Sequence, residues 1–366
     1  MVIIFVVMVH AGVTYSNIGS WYYYEPANLD AFTFISFLMF LSFTQAYSMS
    51  LLFLIAGYFV PGSFDRKGFV KFLRDRAVRL GIPALIYMLF IQTAIVYYLL
   101  SFQWPGPRPT IAEYFLNYIK SFNFLGGSGP MWFALALLIF SAIYAAFRRF
   151  HRSAAPYKIE REIPGHLLTA GLVLLISAGA FSIRLVQPIG TNIMNMQLSN
   201  FSSYIILFIV GIIAYRNNWL FRIPYSFGMA WFKAAIIGGT IFWLAMMTEC
   251  VMNSGDLSRY AGGPYWQSAA YALWESFFCV GTCLGLTVIF RDNFSETGKL
   301  SRFLSDNSFS VYLFHPPILI LVTLALKDMA WHPMMKFAIS SALAVPICFL
   351  ASHFIFRRIP LLKRVL

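Results

Sequence analysis

The sequence predicts an all-α fold: a polytopic integral membrane protein, a bundle of about ten transmembrane helices with both termini cytoplasmic. Three observations carry this. Of 366 residues, 59% are hydrophobic and only 11% charged, where a soluble domain carries about 25% charged residues. Mean hydropathy is +0.70, and the apolar residues fall into blocks near the ~20-residue length that crosses a bilayer. Lys and Arg gather in the short stretches between those blocks, on alternate sides. The net charge of +13 therefore reads as loops facing anionic lipid and not as a nucleic-acid surface.

The spans are expected at 1–13, 32–60, 82–103, 130–149, 166–186, 200–215, 231–252, 266–290, 308–326 and 334–356, together forming one domain over 1–366. The first is short: at 1.5 Å per residue it covers about 20 Å of a ~30 Å hydrocarbon core. A helix truncated at its N-terminus is expected there. The segment lacks the basic n-region and small-residue cleavage site of a signal peptide. Loop 14–31 follows, and its Trp21-Tyr22-Tyr23-Tyr24 cluster is expected at the outer headgroup boundary. Pro61-Gly62 marks the joint after the second span. Residues 66–79 then alternate Lys and Arg with Phe69, Val70, Phe72 and Leu73, the pattern of an amphipathic helix lying against the membrane. Glycine and proline punctuate the later joints at 104–107, 126–130 and 262–264.

Orientation follows from counting. The stretches 66–79, 148–161, 216–233, 291–302 and 357–364 hold 21 Lys and Arg, Arg152, Lys158 and Arg364 among them, against 6 on the opposite side. The first set is expected in the cytoplasm, which puts His10 toward the outer end of the first span.

Ionisable groups at membrane depth are costly and so mark candidate sites. His10 is the first, an imidazole whose ordinary pKa of ~6.5 suits proton transfer. A helix-packing hydrogen bond is the plainer role for any membrane histidine, but His10 precedes a polar loop and can reach a substrate. His315 stands before Pro316 and Pro317, which free carbonyls on the preceding turn; packing and function are both open for it. Glu275 is a lone intramembrane carboxylate that must find a partner. Asp30 and Glu25 flank the loop beside His10 and could orient or acidify it. Arg74, Arg76 and Arg79 precede the third span. Arg76 and Arg79, three apart on a helix, share a face and suit either a phosphate or the lipid headgroups. Cys250, Cys279, Cys283 and Cys348 lie in apolar segments with no metal-ligand spacing, so buried thiols are expected. No nucleophile elbow or phosphate-cradling glycine loop occurs.

Five segments taken together resemble the membrane acyltransferase-3 family. They are His10 in the first span, Ser50-Leu-Leu-Phe-Leu-Ile-Ala-Gly-Tyr58, Phe72-Leu-Arg-Asp-Arg-Ala-Val-Arg-Leu-Gly-Ile-Pro83, Gly129-Pro-Met-Trp-Phe-Ala-Leu135 and Asp306-Asn-Ser-Phe-Ser-Val-Tyr-Leu-Phe-His-Pro-Pro317. Each motif is loose alone, and their ordered occurrence over essentially the whole chain is specific. The resemblance implies transfer of an acyl group, commonly acetyl or succinyl, from cytoplasmic acyl-CoA to a hydroxyl of an extracytoplasmic sugar, glucan, lipid or antibiotic. It implies that His10 is the essential histidine, as general base or acyl carrier, and that Arg76 and Arg79, the family's R-x-x-R pair, hold anionic parts of the donor with Arg74 beside them. Acyl-CoA would then be a substrate and not a resident cofactor. Trp132 and Tyr312 are candidates to line the passage between donor and acceptor, although aromatic packing is the plainer role for each. The arginine that the family carries eleven positions before the histidine would fall ahead of Met1. A stand-alone domain in the cell or inner membrane is expected, without nucleic-acid partners. A small-molecule transporter is the competing class, but it predicts inverted repeats with paired broken helices, and spans one to five do not resemble six to ten. A scaffold without activity is the third.

Overall fold

The structure is a computed structural model that describes residues 1–25, 28–151, 161–253, 255–294 and 298–363. Arg152, Lys158 and Arg364, which entered the charge count, lie outside the described residues. The described chain is helical without strands, and eight of its helical stretches are long and apolar enough to cross a membrane. Its outer surface carries Phe59, Phe90, Phe150, Leu167, Ile241 and Leu321, all exposed. Exposure of this kind suits a lipid solvent, which is as apolar as the side chains it meets.

Helix α1 (Val2–Ser16) is shorter than a full span and closes on Asn17, whose left-handed φ of 58° ends the helix. Helix α2 (Ala31–Arg76) begins at Asp30, whose carboxylate accepts from the Thr33 backbone N–H at 3.0 Å. The joint expected at Pro61-Gly62 is not where the chain turns. The helix runs on through both residues, and the non-helical backbone comes at Gly68, with φ 70° and ψ 174°. Proline in a membrane helix is tolerated where neighbours re-satisfy the backbone, and only glycine enters the φ that Gly68 adopts without strain. Helical turns then continue through the stretch α3 (77–99), so that two expected spans share the one apolar run Ala31–Leu99. Within α3, π-helical turns at Ala77–Gly81, Tyr87–Ile91 and Ile95–Leu99 alternate with α-helix. Phe72, expected on a lipid-facing stripe, is instead buried, edge-on to Phe64 at 5.5 Å.

Helix α4 (Ile111–Lys120) is short and starts in a capping box between Thr110 and Glu113. The longer helices follow: α5 (Trp132–Phe150), α6 (His166–Arg184), α7 (Phe201–Asn217), α8 (Tyr225–Met252), α9 (Trp266–Asn293), α10 (Lys299–Ala325) and α11 (Pro333–Phe354). Two helix pairs pack most extensively, α2 on α7 and α8 on α9. Small residues allow both, as interfaces between membrane helices require. A Cβ on Gly57 would lie 2.1 Å from the Phe208 carbonyl oxygen, and one on Gly211 2.2 Å from that of Leu54. A Cβ on Gly281 would likewise meet the Trp231 carbonyl at 2.6 Å. At one end of the bundle Asp65 accepts from Arg216 at 2.6 Å and Arg148 at 3.4 Å, tying α2, α5 and α7 together.

Candidate active site

The loop between α1 and α2 packs back against the bundle. Its backbone returns to α1, with the Glu25 N–H donating to the Thr14 carbonyl at 2.9 Å, and Trp21 folds inward onto His10. The two rings stack with centroids 3.7 Å apart and planes 15° from parallel. Tyr22 packs edge-on to Trp21, and its hydroxyl lies 2.9 Å from that of Tyr87 and 2.5 Å from Gln92 Oε1. Burial pushes the Tyr22 hydroxyl up from its ordinary range, so it is a protonated donor. Two residues of the aromatic run, Trp21 and Tyr22, therefore wall a cavity.

That site is a cavity of about 420 Å³, within the size range of small-molecule pockets. His10, Trp21 and Tyr22 form one side, Ser42 and Gln45 of α2 another, and Trp132 and Tyr204 a third. Asn192, Asn195, Gln197 and Asn200 of the α6–α7 connection complete it. Trp132 stacks on Tyr204 at 5.6 Å. Asn195 donates to the Gly129 carbonyl at 2.6 Å, and Gln45 to the Tyr204 hydroxyl at 3.2 Å. Side-chain amides and phenols offer both donors and acceptors, so the lining suits a neutral, hydroxyl-rich ligand. Among the described residues its lining holds no Asp, Glu, Lys or Arg. His10 is thus, among them, the one group there whose ordinary pKa lies near neutrality.

The remaining candidates divide. His315 is fully buried beside His10, with ring centroids 5.3 Å apart and planes 15° from parallel. Tyr312 is buried one helical turn away, edge-on to Phe133. Glu275 does find a partner: it takes a hydrogen bond from Arg184, which is fully buried and also reaches Asn200 Oδ1 at 3.3 Å. This pair stands just behind the cavity wall, the Arg184 guanidinium lying 5.6 Å from the ring of the lining residue Tyr271. Neither acid of the first loop serves His10. Glu25 is paired with Lys336. Asp30 caps α2, and the Thr33 hydroxyl and N–H hold its carboxyl down to about 2, as a fixed anion.

A second cavity, of about 720 Å³, opens at the basic end, lined by Lys67, Lys71, Arg74 and Arg79 around Asp75. Lys67 pairs with Asp75 at 2.7 Å. Arg74, Arg79 and Lys71 have no ion pair among the described residues, which leaves the cavity strongly positive. Arg76 does not line it; its guanidinium lies over the Phe72 ring at 5.3 Å. The backbone turns π-helical at Ala77, and a π-turn closes i to i+5, which offsets Arg76 from Arg79 around the axis while their charges remain near enough to act on each other.

Helix geometry gives the spacing of the two cavities. Gln45 of the first and Lys67 of the second lie on α2, 22 residues and so about 33 Å apart along its axis. A cavity that holds a histidine and amides is therefore well separated from a cavity lined by basic side chains.

The model of a family described as an acyltransferase domain, Acyl_transf_3, matches residues 1–353 of the chain. The chain belongs to the acyltransferase-3 family. The all-helical, multi-pass architecture and the acyltransferase assignment thus agree. No curated protein and no solved structure matches this acyltransferase. Among the described residues no cluster of His, Cys, Asp and Glu could hold a metal ion, and all four cysteines are free and buried.

The sequence reading missed Trp21 as a site residue, because a Trp-Tyr run beside an apolar segment is also the signature of an interfacial belt. It missed the amides at Asn192, Asn195, Gln197 and Asn200, whose spacing in a short connection was the available signal. It also missed Arg184, which the carboxylate of Glu275 required.

Proposed function

We propose that this acyltransferase moves an acyl group from acyl-CoA, held at the basic cavity, to a hydroxyl of a sugar, glucan or lipid acceptor in the amide-lined cavity. The observation that carries this reading is His10, the one imidazole among the described residues that line that cavity. Its ring is stacked against Trp21. The donor's phosphates would meet Arg74, Arg79 and Lys71, where guanidinium forks suit phosphate oxygens. Its thioester arm would run into the bundle alongside α3.

In the reaction, His10 takes the proton of the acceptor hydroxyl as the oxygen attacks the thioester carbonyl. The new C–O bond forms, the C–S bond breaks, and the thiolate takes back the proton from the imidazolium. The positive-inside bias puts the basic cavity in the cytoplasm and His10 toward the outside, consistent with a cell or inner membrane location. Glycan and lipid acceptors fit the lining because each presents hydroxyls and few charges.

The test is transfer of radiolabelled acetyl or succinyl groups from acyl-CoA to a panel of glycan and lipid acceptors by the purified protein. His10→Ala should lower kcat about 10²–10⁴-fold, the usual contribution of a general base, while the protein stays folded and donor KM is unchanged. Full activity in that variant would remove His10 from the mechanism. Arg79→Ala should raise donor KM roughly 10-fold or more, since a hydrogen bond to a charged group contributes about 1.5–3 kcal/mol, and leave acceptor KM unchanged.

A further inference from the structure

The reading of His10 as a base leaves open what decides which of its two nitrogens carries the proton. The answer begins with two prolines. In α10 the carbonyl of Tyr312 would accept the N–H of residue 316, but residue 316 is proline and has none. The orphaned carbonyl is taken up by the side chain of the preceding residue: His315 Nδ1 lies 2.9 Å from Tyr312 O and 3.3 Å from Val311 O. Only a donor can make that contact, so Nδ1 carries hydrogen. In a neutral imidazole the other nitrogen, Nε2, is then a lone pair. His315 Nε2 is buried and has no hydrogen-bond partner.

A matching orphan stands opposite. His10 Nδ1 is also buried without a partner. Three ring separations define the arrangement: His10 to Trp21 at 3.7 Å, His10 to His315 at 5.3 Å, and Trp21 to His315 at 6.0 Å, all near parallel. They put Trp21 over the face of His10 and His315 beside its edge. The two nitrogens are not hydrogen-bonded to each other as the rings stand, but with the centroids 5.3 Å apart a small rotation of either ring would bring them to the ~3 Å of a hydrogen bond.

We propose that His315 is the positioning residue of His10, its Nε2 lone pair accepting the His10 Nδ1–H so that the His10 Nε2 lone pair faces the cavity. This rests on the reading of His10 as general base and deepens it. The relay is built by sequence: Pro316 frees a carbonyl, the carbonyl fixes the tautomer of His315, and His315 fixes that of His10. The partner is neutral. It therefore orients the imidazole and supports the imidazolium without an anion, and no carboxylate is needed beside His10. Trp21 removes the remaining freedom by holding the ring plane.

The test compares two substitutions in the full-length protein. His315→Gln keeps an acceptor oxygen near the position of Nε2, and His315→Phe removes it. His315→Phe should lower kcat about 10–100-fold, leave both KM values within about twofold, and move the acid limb of the kcat/KM–pH profile to lower pH, because the imidazolium of His10 loses its acceptor. His315→Gln should retain most of the activity. Nitrogen-15 spectra of ring-labelled protein, with His10→Asn to assign the signal, should show His10 protonated at Nδ1 in the wild type and lose that preference in His315→Phe. An unchanged kcat and pH profile in His315→Phe, or a His10 protonated at Nε2 in the wild type, would overturn the proposal. A wild-type protein with the expected tautomer but no acyl transfer would instead overturn the functional reading and leave the positioning role standing.

Discussion

At the residue scale, the site depends on how few charges reach it. His10 lines a cavity whose neighbouring ionic groups are engaged elsewhere: Glu25 by Lys336, Asp30 by its helix cap, Glu275 by Arg184. Trp21 then matters for orientation and not for proton transfer. Trp21→Ala should lower kcat roughly 10-fold or more, because losing the stack frees the imidazole to leave its productive geometry; steady-state kinetics at saturating donor would show it. The Arg184–Glu275 pair is a structural element of the cavity wall. Glu275→Gln leaves a fully buried guanidinium without its counter-ion, which costs about 3–5 kcal/mol. We expect a clearly lower melting temperature in detergent, whereas a variant as stable as the wild type would mean that Asn200 alone suffices for Arg184.

At the element scale, the glycines set the helix spacing that forms the cavity. α2 supplies Ser42 and Gln45 to one wall and α7 supplies Tyr204 to the next, and the two helices touch backbone to backbone at Gly57 and Gly211. Gly57→Leu should destabilise the protein by about 1–3 kcal/mol through overpacking and weaken acceptor binding together with it, measured as a joint fall in melting temperature and rise in acceptor KM. Much of this architecture was legible in the sequence, because a bilayer imposes one length on every crossing element and charge collects at the ends. The joints were less so. Pro61-Gly62 reads as a turn by the rules of soluble chains, yet the helix continues through it and breaks at Gly68, whose surroundings give no local warning. The π-helical turns that begin at Ala77, just after Arg76, have no signature in the local sequence. His10 and His315 were both legible as intramembrane imidazoles, but their adjacency joins residues some 300 positions apart and only the fold brings it about.

At the scale of the whole molecule, the bundle keeps two unlike cavities apart, a basic one lined by Arg74, Arg79 and Lys71 and an amide-and-aromatic one around His10. Their spacing of about 33 Å along α2 is close to a hydrocarbon core. The account therefore holds that donor and acceptor approach from different sides of the membrane and that only the acyl group passes between them. The most direct test uses the protein in sealed, uniformly oriented vesicles, with acyl-CoA supplied on the side of Arg79 and acceptor confined to the other. The account predicts acylated acceptor in that arrangement, none when acyl-CoA is given only on the acceptor side, and none with His10→Ala. Equal transfer with acyl-CoA and acceptor on the same side, or undiminished transfer by His10→Ala, would contradict it.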